Sequence, residues 1–272
     1  MVIKTVSWAD DVRETSALSA TNTYVFISVI FICKIYINEE KMKILIPPSE
    51  GKSEENTTSI KFEDTNYKFT KEIKGVLNNL SDYDTSNLQK IYGTSIEKSK
   101  DLHIKNLRIF ESECSPAMNR YTGVVYNNLN PLNLDNDSLE FLNENFLITS
   151  ALLGLVSPNE LIPFYKLKMN VLKLFDYWKP IFTNFLKNED LIIDLLPEIH
   201  RKSYESEKVL KINFLFIKNG EKISSGHNGK AIKGQYLRYL VENQISTEKG
   251  FKSFKEDDFE WSEKEQGYIK LI

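Results

Sequence analysis

The sequence PPSEGK, at residues 47–52, places a serine hydroxyl three residues before a lysine amine. A serine becomes a strong nucleophile when a neighbouring base takes its proton, and a lysine amine can be that base. Ser49 and Lys52 are therefore candidates for a nucleophile and its base. Serine and lysine are also common in polar surface loops, so a purely structural loop is the alternative interpretation.

The stretch LLPEIHRK contains a second pair of groups that can exchange protons. Glu198 and His200 stand two residues apart, and a carboxylate with an imidazole can serve as general acid and base. A surface turn explains the same two residues equally well. Both interpretations stay open at the level of sequence.

Positive charge is concentrated between residues 200 and 238, although the whole chain has a formal net charge of -3. The segment contains three glutamates and nine basic residues: Arg201, Lys202, Lys208, Lys211, Lys218, Lys222, Lys230, Lys233 and Arg238. The stretch from Glu248 to Glu265 is acidic, with seven Asp or Glu and four Lys. A local basic excess is the expected footprint of a phosphate-bearing partner, and a solvated lysine-rich face is the alternative.

The basic segment ends in a predicted helix over about residues 229–243. At about 100° per residue, Lys230, Lys233 and Arg238 share an arc of about 140°, and Gly234 lies within it. Glycine inside a helix costs up to about 1 kcal/mol relative to alanine, so it indicates close approach by a phosphate or by another helix. We predict that these four residues contact phosphate, with tight helix packing at the glycine as the alternative.

A further candidate phosphate contact lies in the stretch LGLVSP, at residues 153–158. Its small and apolar residues are typical of a tight hairpin, and free backbone N–H groups around Gly154 can hold a phosphate oxygen. Alternatively, Gly154 and Pro158 only punctuate a turn, and the neighbouring leucines belong to the core.

The sequence lacks the common signatures of catalysis and metal binding. It contains no G-x-x-x-x-G-K-[ST], G-x-G-x-x-G, G-x-S-x-G or H-E-x-x-H pattern. The two cysteines and three histidines are scattered, without the spacing of a zinc site or a redox pair. We therefore expect no metal and no cofactor, and the cysteine usage favours a reducing cytoplasm.

Periodicity indicates the elements that position these residues. Residues 69–80 have the apolar spacing of an amphipathic helix, and Ser86 can cap a second helix that continues to residue 102. Pro116 can open a helix that extends to residue 129. Residues 176–188 predict another helix.

Strands are predicted between and after these helices. Met42 begins one, residues 146–158 form a buried strand that ends in a turn, and residues 190–196 form a short strand. A strand from residue 208 enters an Asn-Gly turn, and a hairpin closes the chain. Helices and strands are mixed without regular alternation, which predicts a single α/β domain with a mixed sheet flanked by helices.

Residues 1–41 are predicted to be an extension outside this domain. The apolar run at residues 24–37 has 14 residues and is interrupted by Lys34, so it is shorter than the ~20 residues that a membrane span requires. The sequence MKILIPPSEGKS, starting at Met42, is typical of an N-terminal strand and loop. We therefore expect residues 1–41 to be translated upstream sequence or poorly ordered, with an appended strand or helix as the alternative, and residues 42–272 to form the domain.

Five blocks of the sequence occur together in one order: KILIPPSEGK, RYTGVVY at residues 120–126, ALLGLVSPNELIPFYKLKM at 151–169, YWKP at 177–180, and a K-x-x-[KR]-G-x-x-x-R pattern at 230–238. Together they resemble the YaaA family of peroxide-stress proteins. The resemblance covers Met42 to Ile272, and the third block is its most specific part.

This resemblance implies a bacterial cytoplasmic protein that limits free intracellular iron and so restrains oxidative damage by hydrogen peroxide. It implies a single α/β domain with a helix-hairpin-helix-like element near residues 153–158, and a basic cleft that binds double-stranded DNA. The cleft cations implied are Lys166, Lys230, Lys233 and Arg238, and Arg120 lies in another family block.

Three functions compete at this stage. The leading hypothesis is a DNA-binding stress protein without turnover and without membrane association. The alternative is an enzyme that acts on a phosphorylated or nucleic-acid substrate, with Ser49 and Lys52 or Glu198 and His200 as catalytic groups. Direct sequestration of iron is the third, although no oxygen and imidazole ligands occur at a recognisable spacing.

Overall fold

The computed structural model describes residues 41–223 and 226–272. Residues 41–272 form one compact unit. The predictions for residues 1–40, including the apolar run, lie outside the described residues. Among the helices that are described, none has the length and apolar content to cross a bilayer.

A five-stranded sheet forms the centre of the fold, in the order β6-β5-β1-β8-β9. Its strands are β1 (Met42–Ile46), β5 (Phe146–Ser150), β6 (Gly154–Val156), β8 (Leu191–Asp194) and β9 (Val209–Lys211). Strands β5, β1, β8 and β9 run parallel to one another, and β6 runs antiparallel beside β5. The central strands are nearly continuous apolar runs because both faces of a parallel sheet are covered.

A four-stranded sheet, in the order β11-β10-β13-β12, occupies the C-terminal part of the chain. Its strands are β10 (Asn213–Lys218), β11 (Glu221–Ile223), β12 (Glu260–Ser262) and β13 (Gly267–Leu271). The β10–β11 turn has positive φ at Asn219 and Gly220, as two-residue hairpin turns require. The predicted Asn-Gly turn and closing hairpin are therefore confirmed.

Two small two-stranded sheets join segments that are distant in sequence. Strand β2 (Gly51–Lys52) pairs with β4 (Tyr121–Thr122), and β3 (Cys114–Pro116) pairs with β7 (Leu161–Pro163). The first pair attaches the loop that follows β1 to the middle of the chain.

Ten helices surround these sheets in the described part of the chain. They are α1 (Thr70–Ser81), α2 (Leu88–Tyr92), α3 (Ile96–Leu107), α4 (Ala117–Arg120), α5 (Val124–Leu129), α6 (Asn136–Asn145), α7 (Leu174–Leu186), α8 (Glu198–Arg201), α9 (Gly226–Glu242) and α10 (Glu248–Phe251). The predicted class, a single mixed α/β domain, is confirmed, although the strands divide among several sheets rather than one.

The helix predictions succeed where the apolar period is long. Helix α1 buries Ile73, Val76, Leu77 and Leu80, as its spacing predicts. Helix α7 buries Trp178, whose indole N–H donates to the Ala151 carbonyl over 2.9 Å. Both predicted helices therefore pack their apolar faces against the core.

Two helix predictions are wrong in detail. The helix expected after Ser86 is broken at Gly93, which adopts a left-handed conformation with φ of 66°, and Ser95 caps the following helix α3. The helix expected from Pro116 to residue 129 is divided by strand β4 and by Gly123 at φ of 111°. Local turn chemistry overrides the apolar period at both places.

Candidate functional site

Two adjoining cavities meet at the PPSEGK loop, residues 47–52. One has a volume of about 510 Å³ and is lined by Lys52, Lys166, Lys168 and His200; we call it the lysine cavity. The other has a volume of about 730 Å³ and is lined by residues including Lys230 and Lys233 of α9; we call it the helix cavity. Both lie within the range of small-ligand sites.

The pairing of β2 with β4 fixes the position of the PPSEGK loop. Gly51 stands opposite Thr122, and Lys52 stands opposite Tyr121. A Cβ at Gly51 would lie 2.8 Å from the Thr122 hydroxyl, so this close approach requires glycine. The chain therefore brings Lys52 beside Tyr121, which is distant in sequence.

Lys52 lies in the lysine cavity without a carboxylate partner among the residues that the structure describes. Its Nζ donates to the Ser49 carbonyl over 2.7 Å and lies 4.5 Å and 5.2 Å from the ring centroids of Tyr165 and Tyr121. Burial, and secondarily the charge of Lys166, lower the pKa of Lys52 to about 7, although Glu50 opposes the shift. A large fraction of this amine is therefore unprotonated near neutral pH.

The aromatic wall beside Lys52 is held by hydrogen bonds. The Tyr165 hydroxyl is 2.7 Å from the Tyr121 hydroxyl and accepts from Ser150 over 2.7 Å. Burial raises the pKa of Tyr165 to about 12 and raises that of Tyr121 further. Both phenols are therefore neutral, and the wall supplies no anion to pair with the lysine.

Glu50 organises the other two lysines of this cavity. The Glu50 carboxylate lies 3.3 Å from Lys168, and its backbone carbonyl accepts from Lys166 over 2.8 Å. The hydrogen bond and charge of Lys168 lower the pKa of Glu50, with smaller contributions from Lys166 and Lys230. Lys168 is therefore partly neutralised, whereas the charge of Lys166 is not matched by a carboxylate within ion-pair distance in the described residues.

The helix cavity contains a second desolvated lysine. Lys233 donates to the Leu195 carbonyl over 2.6 Å, and burial is the main cause that lowers its pKa to about 8. Nearby Arg201 lowers this pKa further, and Asp194 opposes the shift. Lys230 is exposed at the mouth of the same cavity, one turn earlier on α9.

A buried network centred on Asp194 fixes the segment that follows β8. Asp194 accepts hydrogen bonds from Arg201 over 3.2 Å, from Tyr204 over 2.6 Å and from the Leu196 N–H over 2.7 Å. This fixes residues 195–197, whose Leu195 carbonyl binds Lys233. Sequence reasoning missed Asp194 as a structural centre, although a carboxylate inside the apolar strand LIIDLL signals a buried network.

The two proposed proton-transfer pairs do not form hydrogen bonds within themselves. The Ser49 hydroxyl donates to the Thr122 carbonyl and accepts from the Gly51 N–H, whereas Lys52 contacts the Ser49 carbonyl. Both residues nevertheless line the lysine cavity.

Glu198 and His200 face different partners on α8. Glu198 is exposed and pairs with Arg201 over 2.7 Å, whereas buried His200 lies 2.8 Å from the Thr149 hydroxyl. Burial lowers the pKa of His200 to about 4, so this imidazole is neutral near pH 7.

Two predicted phosphate contacts lie in the core. Arg120 is fully buried and donates to the carbonyls of Ser53 and Glu55 over 2.7 and 2.9 Å, and to Asn56 over 2.7 Å. Gly154 begins β6 at φ of 83°, where a Cβ would meet Phe69 and Trp178. The stretch expected to be a helix-hairpin-helix-like element is here a buried strand hairpin between β5 and β6.

The two remaining predicted contacts hold α9 against α5. A Cβ at Gly234 would overlap the Val125 carbonyl and Asn128, so the alternative explanation for this glycine, tight helix packing, is confirmed. Arg238 donates to the Leu129 and Asn130 carbonyls over 3.1 and 3.2 Å and pairs with Glu242 over 2.7 Å. Lys230 and Arg238 are eight positions apart, which corresponds to about 12 Å along the helix. Lys230 lines a cavity, whereas Arg238 holds α9 against α5.

Comparison with known proteins identifies the family. A family profile described as "Peroxide stress protein YaaA" matches residues 42–265. The chain belongs to the YaaA family of peroxide stress proteins. All lining residues of the lysine and helix cavities fall within the matched range.

Several individual relatives are similar to this chain over most of its length. The uncharacterized protein Cj0984 of Campylobacter jejuni is 32% identical over 222 residues, which cover 76% of this chain and 88% of the relative. A UPF0246 protein of Streptococcus gordonii is 26% identical over 247 residues, covering 85% and 99% of the two chains. A UPF0246 protein of Streptococcus pneumoniae is 32% identical over 218 residues, covering 76% and 88%.

The described residues contain no cluster of three or more His, Cys, Asp or Glu side chains with the geometry to hold a metal ion. The cavities instead present lysine amines, which suit anionic or carbonyl-bearing ligands.

Proposed function

We propose that this YaaA-family protein binds double-stranded DNA through phosphate groups held at the mouths of the lysine and helix cavities, within the bacterial cytoplasm and as part of the peroxide-stress response. One observation carries the proposal. Lys166, Lys230 and Lys233 line the two cavities, and none of them forms an ion pair with any described residue.

Electrostatics explains why this arrangement favours phosphate. A lysine paired with a carboxylate contributes little net positive potential, because the two charges largely cancel. Unpaired ammonium groups around an opening instead add their positive potentials there, and this attracts phosphate. Lys166 and Lys230 are the more accessible pair, and both of them lower the pKa of Glu50. We assign the phosphate contacts to these two, with Lys233 deeper in the helix cavity.

The structure limits which predicted cations belong to this surface. Arg120 and Arg238 each donate to at least two backbone carbonyls, so recruiting either to DNA would leave several carbonyls without their donor, whereas Lys166 and Lys233 each donate to a single carbonyl. The proposal therefore excludes both arginines and retains the lysines.

Limitation of free iron is the cellular consequence that we propose for this activity. It is tested by measuring chelatable iron by electron paramagnetic resonance in cells with and without the gene during peroxide exposure. We expect higher free iron in cells that lack the gene. Equal iron in the two strains would remove iron limitation from the proposal and leave DNA binding to be judged separately.

Duplex binding is tested by fluorescence anisotropy with a labelled duplex across about 50–200 mM salt. We compare the wild type with a Lys166→Ala/Lys230→Ala double variant. We expect wild-type affinity to fall steeply with salt, and the variant to bind more weakly with a slope reduced by about two, one for each lost phosphate contact.

The matched control removes the same charge elsewhere. A Lys208→Ala/Lys252→Ala variant also loses two lysines, so it has the same net charge as the cavity variant. Both of these lysines are held in ion pairs, Lys208 with Asp190 and Lys252 with Glu248 and Glu263. We expect it to bind like the wild type. Equal loss in both variants, or no wild-type binding, would overturn the proposal.

An enzyme acting on a phosphorylated or nucleic-acid substrate is the second candidate, and one observation favours it. Lys52 is desolvated inside a cavity, with a pKa of about 7, which is the state of a lysine that acts as base or nucleophile. Turnover that is lost in a Lys52→Met variant would support this candidate, and binding without turnover would contradict it.

A further inference from the structure

The lysine cavity presents an amine in an arrangement that phosphate binding alone does not require. Lys52 lies at the inner side of the cavity, next to two phenol rings, whereas Lys166 and Lys168 are on its outer side with Glu50. A phosphate contact works best with a charged ammonium. A buried amine with no carboxylate partner among the described residues is better suited to covalent chemistry with a carbonyl group.

We propose that the Lys52 amine forms an imine with an aldehyde that lies next to a phosphate, the chemistry offered by the ring-opened sugar of an abasic site in DNA. The inference rests on the proposed function, because DNA binding delivers the phosphate and the sugar together. It adds a covalent step and a substrate class to that function.

The groups around Lys52 fit each part of such a ligand. The Nζ lone pair adds to the aldehyde carbon, and the carbonyl oxygen leaves as water after receiving the two amine protons. Carbon–nitrogen bonding replaces carbon–oxygen bonding without any oxidant or reductant. Lys166, at the outer side of the cavity, is placed to hold the neighbouring phosphate.

The walls keep the amine reactive. Tyr121 and Tyr165 lie within 5.2 Å of Nζ and are locked by their mutual hydrogen bond and by Ser150, so they exclude water from one side. The charged or titratable groups that face this amine are Glu50, Lys166, Lys168 and the neutral His200. Lys166 disfavours protonation of Lys52, which adds to the effect of burial.

The test traps the imine on the full chain. The protein is incubated with sodium cyanoborohydride and either a duplex containing one abasic site or 2-deoxyribose 5-phosphate. The reductant converts the imine to a stable secondary amine, and peptide mass spectrometry locates the modified lysine. Binding of an intact duplex is measured in parallel, so that failure of the DNA proposal is recognised separately.

We expect an adduct at Lys52 that is absent from a Lys52→Met variant and retained by Lys208→Met, which removes an equal charge at a site away from the two cavities. The yield of the Lys52 adduct should rise as pH increases through about 7, since only the unprotonated Lys52 amine reacts. Mapping the wild-type protein keeps the test valid if the Lys52 variant does not fold.

Each outcome decides between the proposals. An adduct at Lys52 with the abasic duplex supports imine formation on DNA. An adduct at Lys52 with only the sugar phosphate supports imine formation but assigns a small-molecule source, and absent duplex binding would then overturn the proposed function. Intact duplex binding without any adduct, or an adduct mapped to another lysine, overturns the imine proposal alone.

Discussion

The cavity lysines and two arginines of this protein, Arg120 and Arg238, carry the same charge but differ in what they bind. Lys52 and Lys233 each donate to a single backbone carbonyl and line a cavity. Arg120 and Arg238 each donate to several acceptors and connect segments of the fold. The number of cations in a segment of sequence locates a basic region. The number of hydrogen-bond acceptors that each cation contacts separates the cations that stabilise the fold from those available to a ligand.

The largest effect that tests this comparison is expected at Arg120. An Arg120→Ala substitution leaves the buried carbonyls of Ser53 and Glu55 and the Asn56 amide oxygen without their donor. At about 1–3 kcal/mol for each unsatisfied group, the free energy of unfolding should fall by at least about 3 kcal/mol. Urea denaturation measures this loss.

The control for Arg120 is the exposed Arg108, whose one ion pair among the described residues is with neighbouring Glu111. An Arg108→Ala variant should unfold at the same urea concentration as the wild type, because exposed pairs contribute little. Similar losses in both variants would contradict the structural role assigned to Arg120.

Arg238 should show a smaller effect of the same kind. An Arg238→Ala substitution removes the donor from the Leu129 and Asn130 carbonyls at the end of α5, but the site is partly open to water. We expect the free energy of unfolding to fall by about 1–2 kcal/mol, with duplex affinity unchanged. Weaker duplex binding without loss of stability would instead place Arg238 on the ligand surface.

Desolvation of Lys233 should make the free energy of unfolding depend on pH in the opposite sense to that of a lysine held in an ion pair. The pKa of Lys233 is about 8 in the folded protein and near 10.4 in an unfolded chain, so the unfolded state binds more protons between these values. Stability contributed by this site therefore rises with pH through that window, by at most about 1.4 kcal/mol per pH unit.

A Lys233→Met variant removes this dependence. It should have a flatter stability curve than the wild type between about pH 8 and 9.5, below the range in which tyrosines titrate. Chemical denaturation at a series of pH values provides the measurement, and Lys208→Met is the exposed control, expected to leave the slope intact. An unchanged slope in the Lys233 variant would contradict the desolvation of this lysine.

His200 should give an effect of similar size to that of Lys233, but at acidic pH. Its pKa is about 4 in the folded protein and about 6.5 in an unfolded chain, so the unfolded state alone takes up a proton as pH falls between them. Stability is therefore lost on acidification, and a His200→Gln variant should lose less. His103→Gln, at a less buried histidine with a pKa lowered by desolvation, should give a weaker change.

Sequence indicates the elements of this fold better than their junctions. Helix α1 was predictable because five apolar positions repeat at the helical period, and the Asn-Gly turn because both residues accept positive φ. The break at Gly93 and the strand between α4 and α5 depend on a single left-handed residue and on pairing with a distant strand. No local period encodes such pairing.

The candidate site was likewise predictable in its residue types but not in its tertiary contacts. Lys166, Lys230 and Lys233 could be selected from sequence as candidate cations and Lys52 as a candidate base, and all four line two adjoining cavities. The burial of Lys52 could not be foreseen, because it depends on Tyr121 and Tyr165, which tertiary contacts bring beside it. The roles of Arg120 and Gly234 were equally hidden, since their partners lie on other elements.

The pKa of the Lys52 amine is the most direct test of the account, which holds that this lysine is desolvated and unpaired inside a cavity. We would follow the pH titration of its side-chain carbon by NMR in protein containing ¹³C-labelled lysine, with a Lys52→Arg variant to assign the signal. Desolvation of an unpaired Lys52 predicts a titration midpoint near pH 7, well below the midpoints of the exposed lysines. A midpoint near 10.4, together with those exposed lysines, would contradict it.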